Sequence, residues 1–125
     1  MRYTGIKDKC WQVIRKICKE RDGDVCYTCQ VRGPDVMWNA GHYRPVAVVG
    51  SNNTRAWDTT FIRRQCPRCN GAGQGEQARF RAKLVKELGE AVVADFDRLV
   101  VAKSPSPVRN WDILLEDLKK ELEAY

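Results

Sequence analysis

Four of the six cysteines fall into two pairs of one spacing, Cys26-Tyr-Thr-Cys29 and Cys66-Pro-Arg-Cys69, and the only histidine, His42, lies between them. Two thiolates separated by two residues can share one metal, and a second pair completes the four-sulfur set that zinc adopts in structural roles. An imidazole is the side chain best suited to accept a proton near neutral pH. The pattern predicts a zinc-stapled hairpin that presents a general base. The 36 residues between Cys29 and Cys66 exceed the span of a short zinc ribbon, so structure of its own is expected there.

Disulfides and a redox dithiol are the competing readings of the cysteines. The opening Met1-Arg2-Tyr3-Thr4 runs straight into charged residues, so no apolar leader is expected and the compartment is read as a reducing cytoplasm. A redox Cys-x-x-Cys would follow a strand within a βαβ pattern, which is not seen twice here. Cys10 and Cys18 stand eight residues apart in a predicted helix and are read as buried apolar residues. For His42 the plain alternative is a lone histidine satisfying a turn or core hydrogen bond.

Around these residues the chain reads as one domain of 125 residues, small enough for a metal staple to matter to stability. No apolar run is long enough to span a bilayer. Residues 1–42 carry 8 Lys and Arg against 5 Asp and Glu, residues 43–86 carry 9 against 2, and residues 87–125 carry 5 against 9. The middle third, which holds the histidine, is the basic one, and the partner this implies is a polyanion, most simply nucleic acid.

Ile6, Cys10, Val13, Ile14, Ile17 and Cys18 recur at helical spacing, and Asp22-Gly23-Asp24 ends that helix. Val36 to Ala40 reads as a strand delivering His42 at its end, and Arg55 to Arg64 as a second strand carrying Trp57, Phe61 and Ile62. After a linker at Gly71 to Gly75, helices are predicted over Glu76 to Leu88, Ala91 to Ala102 and Asn110 to Tyr125, separated by Gly89 and by Ser104-Pro105-Ser106-Pro107. Leu114, Leu115, Leu118 and Leu122 stripe the last helix, facing a core or a partner.

Strand, histidine, loop, strand and then a Cys-x-x-Cys is the order of a ββα-metal hairpin, and the chain resembles the HNH endonucleases. More narrowly, Cys26-x-x-Cys29, Ala40-Gly41-His42-Tyr43-Arg44 and Gln65-Cys66-x-x-Cys69-Asn70 resemble the NinG (Rap) recombination nucleases of lambdoid phages. Cys66-Pro-Arg-Cys69-Asn70 is also similar to the zinc knuckle and metal-binding asparagine of phage endonuclease VII, a resolvase of branched DNA. The likeness spans most of residues 8–125, with its specific part in residues 26–29, 40–44 and 65–70. It implies an α+β fold with a zinc-stapled ββα-metal core at 25–88, an N-terminal helix at 1–24 and a C-terminal helical segment at 89–125.

The resemblance also implies roles. Phosphodiester hydrolysis needs an activated water and a cation at the phosphate. His42 is expected to be the base, oriented by the Ala40 or Gly41 carbonyl. Asn70 stands where related hairpins place a ligand for catalytic Mg²⁺ or Mn²⁺, and its amide oxygen suits such ions; a helix-cap or turn role is its plain alternative. Many related motifs carry an aspartate before the histidine, where this chain has Gly41. Asp58, the only acidic residue between His42 and Asn70, and Glu76 are the candidate substitutes. Phe61 replaces the middle asparagine of those motifs, with Asn52 or Asn53 as a loop replacement.

Phosphate contacts are assigned to Arg44, Arg55, Arg63, Arg64, Arg68, Arg79 and Lys83, and stacking on an unpaired base to Tyr43, which packing under the hairpin would preclude. No sequence-reading helix is recognised, which favours shape-dependent binding of branched or single-stranded DNA. The expectation is a metal-dependent endonuclease acting on recombination intermediates such as Holliday junctions or D-loops, in a phage or prophage setting, with recombination proteins as further partners and a homodimer through the last helix. A non-catalytic zinc module that binds DNA or protein, and an RNA-directed protein, remain as alternatives.

Overall fold

Apolar residues at three- and four-residue spacing form the first helix, α1 (Gly5–Asp22), of the computed structural model, which describes residues 3–125. Met1 and Arg2, where the expected 1–24 segment begins, lie outside the described residues. Cys10, Val13, Ile14, Ile17 and Cys18 are its buried face, so Cys10 and Cys18 are core residues. Gly23 closes the helix at φ 68°, a left-handed conformation that costs glycine little.

A two-stranded antiparallel hairpin follows, β1 (Asn39–His42) on β2 (Ile62–Gln65), with Gly41 opposite Arg63 and His42 opposite Ile62. The first strand begins later than Val36 and includes His42 as its last residue. The second is shorter than the predicted Arg55 to Arg64, because two 3₁₀ turns, Thr54–Trp57 and Thr59–Phe61, occupy its first half. Asn53 accepts the Arg55 N–H and Asp58 accepts the Thr60 N–H. These local bonds draw the backbone away from a sheet ladder. Between the strands lies the short α2 (Val46–Val49).

A five-residue wide-helical turn, Arg68–Ala72, carries Asn70, and the long helix α3 (Gln77–Leu88) starts only after the glycine linker. It is followed by α4 (Glu90–Val101) and α5 (Trp111–Glu123). Asn110 caps α5 by accepting the Asp112 and Ile113 N–H groups.

Two apolar cores flank the hairpin. In one, α1 packs on Trp57, Ile62, Leu115 and Leu118, with Leu114 and Leu122 at its margin. The leucine stripe of α5 therefore faces a core shared with α1 of the same chain, the first of its two readings. In the other, Tyr27, Tyr43, Phe61, Phe80, Leu84, Val93 and Phe96 pack together. Cys26, Cys66 and Cys69 join them as a third buried group, with the partly buried Cys29, Val36 and Trp38 against it. Among the described residues, no helix is long and apolar enough to cross a membrane.

Candidate functional site: a cysteine-stapled histidine cleft

The Sγ atoms of Cys26, Cys29, Cys66 and Cys69 lie within 4.8 Å of one another, and those of Cys29 and Cys66 are 3.7 Å apart. A tetrahedron with zinc–sulfur bonds of about 2.3 Å has edges of about 3.8 Å. The cluster therefore has the dimensions of a zinc site, and its cysteines are unbridged. Backbone folds each knuckle: Cys26 N–H donates to Val31 O, and Asn70 N–H to Cys66 O. Burial raises the Cys26 thiol, but N–H groups of Cys29, Cys66 and Thr28 and the Thr28 hydroxyl outweigh it and bring the thiol down to about 6. Those donors favour the thiolate that a metal requires.

The staple ties the first knuckle to β2, where Tyr27 N–H donates to Arg64 O, and so sets the height of the hairpin carrying His42. The His42 Nε2 lies 2.8 Å from the Ala56 carbonyl oxygen. A nitrogen bonded to a carbonyl must carry the hydrogen, which leaves Nδ1 with its lone pair. The orienting carbonyl thus comes from the 3₁₀ turn fourteen residues later, in place of Ala40 or Gly41. Asn53, which caps that turn, supports the histidine through it, while the Asn52 amide accepts from Lys7 Nζ. Phe61 fills the second core, stacked on Phe96 at 3.7 Å.

Trp11 of α1 lies parallel to the imidazole, ring centroids 5.3 Å apart and planes 4° apart. Burial holds the His42 pKa below its ordinary value, against the hydrogen bond to Ala56, which raises it. The ring is neutral at pH 7. It opens into a hollow of about 310 Å³ lined by Tyr3, Trp11, Arg15, Asn39, Ala40, His42, Val46 and Asn70. Asn70 is thus brought to the histidine across the hairpin.

The absence of a side chain at Gly41 has a packing cause. A Cβ there would stand 1.9 Å from Gln65 Oε1 and 3.0 Å from Asn70 Oδ1. Gln65 is fully buried, its Nε2 donating to Thr28 Oγ1 and to the Gly75 carbonyl, while Oε1 has no hydrogen-bond partner. The space that an aspartate would need is filled by this amide. The sequence reading missed Gln65; its place opposite Asn39, two residues along β2 from the partner of Gly41, is the signal that marks it.

The remaining candidates are distributed as follows. Neither Asp58 nor Glu76 lines the hollow: Asp58 caps the turn Thr59–Phe61, and the Glu76 side chain lies against Gly73. Tyr43 is 2% exposed, with its hydroxyl donating to Asp97, which corrects its reading as a base-stacking residue. Arg63 is 6% exposed, paired with Glu87 and packed over Tyr27, so it too is structural. Arg44 pairs with Asp97, Arg64 with Asp24, and Arg55 donates to Ser104 O. Arg68 is exposed beside Asn70, and Arg79 and Lys83 line a separate hollow with Thr28 and Lys86. The basic residue that does reach the histidine hollow is Arg15 of α1, which charge counted by thirds of the chain did not single out.

The family model described as Bacteriophage Lambda NinG protein matches residues 3–125. Similar proteins are the ninG proteins of Salmonella phage P22, 30% identical over 87 residues, of Escherichia phage 933W, 29% over 87, and of Escherichia phage lambda, 28% over 87. Each alignment covers 69% of this chain and 41% of the relative, so the chain matches less than half the length of these phage proteins. No solved structure matches it. A family match over all but the first two residues, on a chain whose four clustered cysteines, His42 and Asn70 meet at one hairpin, places this protein in the NinG family.

Proposed function

We propose that the chain is a zinc-stapled, metal-dependent endonuclease of the HNH type that hydrolyses phosphodiester bonds in branched DNA inside the phage-infected or lysogenic cell. The observation that carries this is the held imidazole: Nε2 fixed on Ala56 O at 2.8 Å, the ring stacked on Trp11, and a neutral nitrogen at an open, basic hollow. A structural histidine needs none of that opening. In the reaction Nδ1 takes a proton from water as its oxygen attacks phosphorus, and the bond to the leaving oxygen breaks. Arg15 holds a phosphate oxygen, and the Trp11 stack and the Ala56 carbonyl keep the ring from turning away.

The donors present fit a hard divalent ion such as Mg²⁺ or Mn²⁺: Asn70 Oδ1 would hold it, and Gln65 Oε1, buried without a partner beside it, is a second amide oxygen. Such an ion supplies charge neutralisation at the phosphate and the leaving oxygen. Zn²⁺ belongs to the four cysteines.

The absence of any carboxylate lining the hollow favours a second reading, a zinc-dependent module that binds DNA or a recombination protein without cutting it. Labelled four-way junction, single strand and duplex incubated with zinc-loaded protein and Mg²⁺ or Mn²⁺ separate the two. Junction cutting that disappears in His42→Ala supports the nuclease; tight binding without cutting supports the module.

A further inference from the structure

A second hollow, about 240 Å³, opens beside the histidine hollow and is lined by Gln12, Arg15, Lys16, Cys18, Lys19, Trp38, Asn39, Ala40 and Arg64. The two share Arg15, Asn39 and Ala40, so they adjoin one another along α1 and β1 and are treated as one groove. Gln12, Arg15, Lys16 and Lys19 follow one another at steps of three, one and three residues, which puts them on one stripe of α1. All four are exposed. No aspartate or glutamate lines either hollow, and among the described residues Arg15, Lys16 and Lys19 form no ion pair. Three carboxylates border the stripe: Asp8 accepts from Gln12 and lines a neighbouring hollow with Trp11 and Arg15, Glu20 shares another hollow with Lys16 and Lys19, and Asp24 is taken up by Arg64.

We propose that this groove carries a single, unpaired nucleic-acid strand to His42, with its phosphates on Arg15, Lys16 and Lys19. Resting on the nuclease reading, this names the substrate feature the enzyme grips: the unpaired arm or displaced strand of a branched molecule. The warrant for one strand is chemistry: a row of unpaired cations bordered by an aromatic ring is the makeup of single-strand channels. Trp38 is that ring, half-buried, its Nε1 donating to Gly33 O and the Arg64 guanidinium 5.1 Å from its centre. The basic hollow on α3, with Arg79, Lys83 and Lys86, does not connect to the histidine and is the natural rival.

The test measures binding of a labelled single-stranded oligonucleotide and of its duplex to the zinc-loaded chain over a salt series, with no Mg²⁺ or Mn²⁺ added, so that cutting plays no part. The wild type should prefer the single strand. Lys16→Glu with Lys19→Glu should weaken its binding at least about tenfold, and losing two phosphate contacts should reduce the slope of log K against log salt by about 1.4. Trp38→Leu should weaken it by about tenfold at unchanged slope, whereas Lys86→Glu should leave it as it was. Unchanged affinity and slope in the double variant, greater loss in Lys86→Glu, or equal binding of duplex would overturn the proposal. Failure of the nuclease reading would show separately, as wild-type protein that binds the strand by this groove and never cuts a junction.

Discussion

One backbone atom sets the state of the His42 ring. With Nε2 committed to Ala56 O, the imidazole is held in the tautomer that the proposed base role needs, and burial keeps it neutral. Its folded pKa lies below the unfolded value of about 6.5, so its contribution to stability is complete above that pH and is lost as pH falls through the folded value. The acidic limb of a cleavage profile should therefore fall below about pH 6.5, measured on single-turnover rates. A limb well above that pH would assign the base elsewhere. Gly41 is the second sensitive residue. Gly41→Ala drives a methyl into Oε1 of Gln65, whose amide is held in place by the two hydrogen bonds that Nε2 donates, and should cost about 1–3 kcal/mol in chemical denaturation. A neutral substitution would mean that Gln65 swings freely.

At the scale of elements, two unrelated devices hold the hairpin: the four clustered cysteines on one side and the packing of α1 against α5 on the other. Stripping the metal should leave the α1–α5 helices folded while the knuckles and β2 lose protection, readable as residue-specific amide exchange. Uniform protection after chelation would show the staple to be dispensable. Leu118, 4% exposed between α1 and α5, should cost about 2–5 kcal/mol on truncation to alanine. The helices and the cysteine cluster were legible in the sequence because their signals are local: apolar spacing along one helix, and two residues between thiols. The boundaries of the second strand were not. Asn53 and Asp58 turn an apparent strand into 3₁₀ turns by bonding to their own backbone, and Trp57 and Phe61 are equally apolar in either conformation. The orienting carbonyl of Ala56 had no signature at all, since any residue supplies a carbonyl and only the fold decides which one faces the histidine.

Across the whole molecule, charge is arranged by face and not by position along the chain. Arg44, Arg63 and Arg64 of the basic middle third are taken up by Asp97, Glu87 and Asp24, while α1, from the nearly balanced first third, supplies the cations of the histidine groove. Sequence proximity to His42 was therefore a poor guide to which cations line its hollow, and Arg15, Trp11 and Gln65 entered only through the fold. The central claim is that this hairpin cuts DNA, and cleavage of a labelled four-way junction by zinc-loaded protein in Mg²⁺ or Mn²⁺, beside His42→Ala of equal zinc content and thermal stability, tests it most directly. The expected result is cutting by the wild type, reduced by at least about a hundredfold in the variant. Junction binding with no cutting by the wild type, or equal cutting by both proteins, would contradict it.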